Sequence, residues 1–212
     1  MPTTPTFYLG GSPCAGKSTI ATRLAALYDL RLYQVDSEFG RHAVDFTALH
    51  QPALTAWLAG DCTERWLKPT AELLADAVDC YREHFAIVWR ELEALKDAQN
   101  GQPLLVEGTA LLPELVVPRL ENRDHAFWLI PTPAFQWQHY RRRPFVQEIL
   151  STCADRETAF NGWMKRDRAF GCRIVAICRE LALDHAIVDG RQSIEDQADA
   201  LARRFELQPT LR

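Results

Sequence analysis

Five short apolar segments recur along the chain, separated by longer stretches with helical periodicity. The apolar segments span residues 7–10, 32–35, 104–106, 125–130 and 185–188. All but the second are continuous apolar runs, which is typical of strands covered on both faces. Helical patterns span residues 17–28, 49–96, 133–142, 157–183 and 193–205. The alternation predicts an α/β fold with a parallel sheet built from right-handed crossovers.

The spacing of the predicted strands is uneven. Almost seventy residues separate the second strand from the third, and more than fifty separate the fourth from the fifth. Both connections are longer than a single crossover helix requires. We therefore predict one domain over residues 1–212, with helical insertions at about residues 45–100 and 141–170. In open α/β folds, ligands bind at the carboxyl edge of the sheet, where these insertions emerge.

A phosphate-binding motif follows the first predicted strand. The sequence GSPCAGKST over residues 11–19 fits G-x-x-x-x-G-K-[ST], and a predicted helix follows it directly. Such a loop directs backbone N–H groups at a phosphate, which the positive end of the helix also attracts. Lys17 would reach the β- and γ-phosphates, and the Ser18 hydroxyl would bind Mg²⁺. The predicted ATP-binding residues are Gly11, Ser12, Pro13, Cys14, Ala15, Gly16, Lys17, Ser18 and Thr19.

Three carboxylates follow the second and third predicted strands. Asp36 and Glu38 come after the second strand, and Glu107 ends the third. A carboxylate there could bind Mg²⁺ through water or accept a proton from an attacking hydroxyl. Asp36 and Glu38 are therefore candidate catalytic residues, and Asp36 and Glu107 join Ser18 as candidate metal ligands. The alternative for Asp36 and Glu38 is a helix cap with an acidic first turn.

Arginines cluster in the second insertion, at residues 141–143 and 165–168. Guanidinium groups that close over a transferring phosphate offset the charge on its oxygens, so we predict a lid with catalytic roles for Arg143 and Arg166. A solvated helix end would explain the same residues. Asp189, after the fifth strand, is a further candidate nucleotide contact, although a capping turn alone would also explain it.

Charge and cysteine content narrow the possible partners. The chain has 212 residues and a net charge of -4, which gives no overall attraction to nucleic acid or to acidic membranes. No apolar stretch approaches the length of a membrane span. The six cysteines lack metal-ligand spacing, so we expect reduced thiols in a cytoplasmic protein. The expected partner is a small-molecule phosphate acceptor, and nothing in the sequence indicates the oligomeric state.

With these features placed, the chain resembles the small P-loop kinases of the nucleoside-monophosphate-kinase-like group, which includes shikimate, gluconate and adenylate kinases. The phosphate loop at 11–19 is the most specific match, and Asp36-Ser37-Glu38 is similar to the D-x-D of shikimate kinases. The resemblance implies a five-stranded parallel sheet in the order 2-3-1-4-5, ATP as donor and bridging Mg²⁺. One departure is Glu107-Gly108-Thr109, which stands where shikimate kinases have a glycine pair.

The leading functional hypothesis is phosphate transfer from ATP to a small molecule. A nucleoside or nucleotide kinase is the second hypothesis, because the first insertion is rich in aromatic residues. A third is an ATP-binding regulator whose slow hydrolysis times a switch. The arginine cluster argues against that third hypothesis, since switch proteins often receive their arginine from a partner.

Overall fold

The computed structural model describes residues 4–97 and 101–208. The strands are β1 (Thr6–Gly11), β2 (Arg31–Gln34), β3 (Leu104–Glu107), β4 (Ala126–Pro131) and β5 (His185–Val188). They form one sheet in the order β2-β3-β1-β4-β5, and every neighbouring pair is parallel. The predicted P-loop NTPase fold class and strand order are confirmed.

Helices occupy the connections much as the hydrophobic periodicity predicts. They are α1 (Lys17–Tyr28), α2 (Val35–Ala43), α3 (Pro52–Ala59), α4 (Cys62–Leu67), α5 (Thr70–Asp97), α6 (Pro113–Val116), α7 (Pro133–Tyr140), α8 (Pro144–Ser151), α9 (Arg156–Glu180) and α10 (Ile194–Arg204). Within the described parts of the chain, no helix is long and apolar enough to cross a membrane.

The helical tract predicted over residues 49–96 is divided into α3, α4 and α5. Gly60 is extended, and Asp61 caps α4 by accepting a hydrogen bond from the Glu64 backbone N–H at 3.0 Å. Pro69 separates α4 from α5, because proline disfavours helical backbone in the residue before it. A second difference concerns Val35, which was predicted to end a strand and instead begins α2.

The sheet is covered on both faces, as the continuous apolar strands predict. Buried side chains of α5 and α9, such as Val88 and Phe170, pack on one face. Those of α1 and α10, such as Leu24 and Leu201, pack on the other. On the first face, the Trp128 indole N–H donates to the Leu111 carbonyl at 2.9 Å, so this buried polar group is satisfied.

The two insertions pack against each other in a third apolar cluster away from the sheet. The rings of Trp66 (α4) and Trp163 (α9) stack there with centroids 4.8 Å apart. Beside this contact, a disulfide joins Cys62 to Cys153, with a Cα–Cα distance of 5.4 Å. The expectation of reduced thiols is therefore wrong for this pair. The packing of the insertions brings together two cysteines that are 91 residues apart, which no local spacing reveals.

Candidate active site

The phosphate loop connects β1 to α1 through backbone conformations that L-residues rarely adopt. Gly11 has φ 124° and Gly16 has φ 81°, and Cys14 is also left-handed at φ 67°. A Cβ atom at Gly11 would collide with the Leu129 carbonyl oxygen on β4. Gly16 is the N-cap of α1 and supplies no side-chain cap. The first N–H groups of α1 therefore have no side-chain acceptor there and can bind an anion.

Lys17 is a buried cation at the base of this loop. Its side chain is 5% exposed. Its ammonium donates to the Ser12 carbonyl at 2.9 Å and lies 3.4 Å from Thr109 Oγ1. Burial lowers the pKa of Lys17, and the nearby carboxylates of Asp36 and Glu107 oppose that shift. A bound phosphate would add the negative charge that this buried ammonium favours.

Asp36 is held in a fixed orientation in the first turn of α2. Its Oδ1 accepts from the Thr109 backbone N–H at 3.1 Å, and its Oδ2 accepts from Thr109 Oγ1 at 3.0 Å. The residue remains exposed and lines the same cavity as Lys17. Thr109 thus contacts both the ammonium and the carboxylate. From the sequence, Thr109 is part of the departure after the third strand, and no role is predicted for it.

Glu38 is not brought together with Asp36. It pairs with Arg41 at 2.7 Å and does not line the cavity. The reason is that Val35 begins a helix, so residues two positions apart differ by about 200° around the helix axis. In an extended strand, Asp36 and Glu38 would lie on the same face, but on α2 they face different sides of the helix.

Glu107 lies under the phosphate loop at the end of β3, where it is 1% exposed. Its Oε1 accepts from Gln34 Nε2 at 3.1 Å, while its Oε2 is buried and accepts no hydrogen bond within the described residues. Burial raises the pKa of this carboxyl, and Lys17 opposes the shift.

The residues around the phosphate loop fit Mg²⁺. Protein sites usually hold this ion through one or two carboxylates, together with water and substrate phosphates. The Ser18 hydroxyl, the Asp36 carboxylate and the unpartnered Glu107 oxygen are donors of that kind. Within the described residues, no group of three His, Cys, Asp or Glu side chains could hold a metal ion by itself. A Mg²⁺ site completed by the phosphates of a bound nucleotide needs no such group of three side chains.

A cavity of about 630 Å³ opens above the phosphate loop. One wall is formed by loop residues 13–19 together with Asp36 and Thr109. The first insertion contributes a second wall, which includes Trp57, Tyr81 and His84. The second insertion contributes a third, which includes Tyr140, Arg143 and Arg166. The cavity therefore joins the phosphate loop to both insertions.

The two candidate lid arginines differ in environment. Arg143 is exposed at the start of α8, close enough to Cys14 in the phosphate loop to oppose the rise that burial causes in the thiol pKa. Arg166 on α9 is 6% exposed and pairs with Asp167 at 2.6 Å. Its guanidinium also lies 5.3 Å from the centre of the Trp66 ring. Both side chains line the cavity, as the lid prediction requires.

A glutamine links the phosphate loop to the second insertion. Gln136 on α7 is buried, and its amide donates to the Pro13 carbonyl at 3.0 Å and to Asp167 Oδ2 at 3.2 Å. Since Asp167 pairs with Arg166, one chain of contacts runs from the loop to the lid. This residue is not among the predicted site residues, because a glutamine in a helical pattern carries no distinguishing signal.

Asp189 lies apart from the other predicted site residues. Its Oδ1 accepts from the Arg191 backbone N–H at 3.0 Å, and Oδ2 pairs with the Arg191 guanidinium at 3.2 Å. It borders a different cavity of about 490 Å³ between β5 and α10, not the cavity above the phosphate loop. Its contact with a nucleotide stays a prediction.

Comparisons with known proteins bear on the fold. A scan of protein-family models finds no match, and a search of curated proteins finds no similar sequence. Among solved structures, the tunicamycin resistance protein of Deinococcus radiodurans is similar with a TM-score of 0.51, at 12% identity over 99% of both chains.

Two kinases are also among the similar structures. A sugar kinase from Janibacter gives a TM-score of 0.49 at 17% identity, over 97% of this chain and 96% of that one. Shikimate kinase from Acinetobacter baumannii gives 0.47 at 17% identity, over 95% of this chain and 92% of that one. The five-stranded parallel sheet in the order 2-3-1-4-5 that the resemblance to small P-loop kinases implies is present in the structure, and the reaction has to be inferred from the site itself.

Proposed function

We propose that the protein is a phosphotransferase that uses ATP and Mg²⁺ to phosphorylate a hydroxyl group of a small molecule. One observation carries the proposal: a buried cation and an exposed carboxylate are held by the same residue in one cavity. Thr109 Oγ1 lies 3.4 Å from Lys17 Nζ and 3.0 Å from Asp36 Oδ2. A phosphate bound at Lys17 would therefore lie next to a group that can accept a proton.

The phosphate side of the cavity matches a triphosphate donor. Backbone N–H groups at residues 11–19 would surround the β-phosphate, and Lys17 would contact the β- and γ-phosphates. Arg143 and Arg166 would offset charge on the transferring group. Bound Mg²⁺ would neutralise charge on the phosphate oxygens. Ser18 and Glu107 are the residues we assign to hold it, because Glu107 is buried beneath the loop and cannot reach an acceptor.

Asp36 is the proposed general base. A proton from the acceptor hydroxyl would pass to an Asp36 carboxylate oxygen, while the acceptor oxygen forms a bond to the γ-phosphorus and the bond from that phosphorus to ADP breaks. The two hydrogen bonds from Thr109 keep the carboxylate in place without covering it, since Asp36 remains exposed. General bases in such positions contribute about 10²–10⁴-fold to rate.

The test is ADP release in the presence of Mg²⁺ with a panel of alcohols, run with variants of the two central residues. Lys17→Ala should abolish transfer, and Asp36→Asn should lower kcat by about 10²–10⁴-fold while ATP still binds. The matched control is Asp79→Asn, because Asp79 is exposed on α5 and pairs with Arg82 outside this cavity.

Three results would contradict parts of the proposal. Unchanged turnover in Lys17→Ala would remove the phosphate loop from the reaction. An equal loss in Glu38→Gln and Asp36→Asn would mean that the base is not Asp36 alone. Slow hydrolysis that no alcohol accelerates would instead favour the ATP-binding regulator.

A further inference from the structure

The wall contributed by the first insertion is largely apolar where it faces the cavity. Leu54 and Trp57 (α3) and Tyr81 (α5) line it, and Phe39 of the preceding α2, which packs against His84, extends it. Phe39, Trp57 and Tyr81 each keep part of their surface exposed, although all three lie inside a cavity. Aromatic rings in that setting offer flat apolar area to a bound molecule.

None of the lysines and arginines of the first insertion whose side chains are described lines the cavity, although the Arg65 guanidinium packs on the Trp57 ring, 4.2 Å from its centre. Three of these residues make polar contacts within the insertion. The contacts are Arg65 with the Gly60 carbonyl (2.9 Å), Lys68 with Asp76 (2.7 Å) and Arg82 with Asp79 (3.0 Å). In this cavity, an anionic acceptor would meet none of the described lysines and arginines of this insertion and would lie close to the Asp36 carboxylate.

Two of the cations that line the cavity belong to the phosphate side, and the third, Arg166, lies 5.7 Å from the centre of the Trp57 ring. Of the described lining residues, the cations are Lys17, Arg143 and Arg166. Lys17 and Arg143 lie at the phosphate loop, and the charge of Arg166 is matched by Asp167 at 2.6 Å. Their combined charge suits a triphosphate and leaves no surplus for a second anion.

The polar groups on the acceptor wall are neutral. Burial and His42 lower the pKa of His84 to about 4, so its imidazole is uncharged near neutral pH. His84 is held by a ring-to-ring hydrogen bond with His42 at 2.9 Å. Burial also raises the pKa of Tyr81, whose hydroxyl stays protonated. Neutral donors and acceptors of this kind recognise hydroxyl groups rather than carboxylates or phosphates.

We propose that the phosphate acceptor is an uncharged alcohol that carries an aromatic ring. The ring packs against Trp57 and Phe39, and the hydroxyl groups lie near Tyr81 and His84, within reach of Asp36. This assignment rests on the proposed phosphotransferase function and adds the class of substrate. It separates the protein from kinases of sugar acids or nucleotides, whose acceptors carry a negative charge.

The experiment compares matched alcohols on the intact protein. The probes are phenylethanediol, its para-carboxylate, cyclohexylethanediol and gluconate. Binding is measured first by calorimetry in the presence of a non-hydrolysable ATP analogue, and transfer is then measured as ADP release. Phenylethanediol should bind and be phosphorylated with a KM at least about tenfold below that of the other three, the factor that 1.4 kcal/mol of contact provides.

Variants connect the preference to the wall. Trp57→Leu should raise the KM for phenylethanediol about tenfold, while the affinity for ATP stays within about twofold. Tyr81→Phe, which keeps the ring and removes the hydroxyl, should weaken binding of phenylethanediol in the same direction. The control is Trp137→Leu, because Trp137 is 42% exposed on α7 and does not line the cavity.

The outcomes separate this inference from the function on which it rests. Transfer to gluconate or to the para-carboxylate that equals or exceeds transfer to phenylethanediol overturns the acceptor assignment and leaves the phosphotransferase intact. ATP binding with no measurable binding of phenylethanediol also overturns it. Failure to bind ATP, or turnover that Lys17→Ala does not change, refutes the phosphotransferase itself.

Discussion

Acidification from pH 7 to pH 5 should weaken the fold through one buried side chain, His84. An unfolded histidine has a pKa of about 6.5. In the folded protein, burial and the neighbouring His42 lower the pKa of His84 to about 4. Between these two values the unfolded chain binds a proton that the folded chain does not. Stability is therefore greatest above about pH 6.5, falls as the pH decreases, and levels off below about pH 4.

The magnitude follows from the width of that window. Each pH unit in which only the unfolded state is protonated changes the free energy of unfolding by about 1.4 kcal/mol. From pH 6.5 to pH 5 the loss is about 2 kcal/mol. His84 is 3% exposed, so solvent screening does not reduce this value greatly. The calculation does not depend on the function of the protein.

Urea unfolding of the natural protein and of His84→Gln at pH 7 and pH 5 measures the effect. Glutamine places an amide N–H near the position of the imidazole Nε2, which lies 2.9 Å from His42 Nδ1, and it does not titrate. Other groups cancel in the comparison. Glu91, with a pKa lowered to about 2, stays ionised at both pH values. His125 is present in both proteins.

The natural protein should lose about 2 kcal/mol more than His84→Gln over this pH range. If both proteins lose the same free energy of unfolding, His84 does not remain neutral in the fold. The neutral character of the acceptor wall would then be refuted as well.

Four further predictions concern the scaffold. Gly11→Ala should destabilise the protein by more than about 1 kcal/mol in thermal unfolding, because φ is 124° and a Cβ meets the Leu129 carbonyl. Gly40→Ala, which has open space around it in α2, should instead stabilise it by about 0.4–1 kcal/mol, and a loss there would contradict the reasoning. Trp128→Phe should cost about 1–3 kcal/mol by leaving the buried Leu111 carbonyl unpaired, and an unchanged urea midpoint would show that water replaces the indole. Cys153→Ser should lower the free energy of unfolding by about 2–4 kcal/mol under oxidising conditions and by much less in reductant. A loss of the same size under both conditions would argue against the disulfide.

Local features of this protein could be predicted from its sequence. The phosphate loop and α1 appear with the predicted bounds, because glycine positions, a short apolar strand and helical periodicity act within a few residues. The five strands shift by at most a residue or two for the same reason. The parallel arrangement was predicted from the alternation of strands and helices, and the strand order was implied by the resemblance to small kinases. The structure confirms both.

Features that depend on contacts between distant elements could not be predicted. Asp36 and Glu38 are both candidate bases in the sequence, and only the start of α2 at Val35 separates their directions. Tyr81 stands four and eight residues before Phe85 and Trp89, a spacing typical of a core-facing helix stripe, yet it lines the cavity because α9 covers just part of it. The role of Thr109 and the disulfide likewise arise from segments that meet only after folding.

Gln136 has a consequence for how the protein meets its substrates. Its amide donates to the Pro13 carbonyl and to Asp167, so displacing α9 from the phosphate loop would break at least one of these bonds, and loss of the bond to Asp167 would leave a buried carboxylate partly unpaired. The positions of Lys17 and Arg166 relative to each other are therefore set when the chain folds. The entropy of bringing these two cations together is lost before any substrate arrives, and the free energy of nucleotide binding need not supply it.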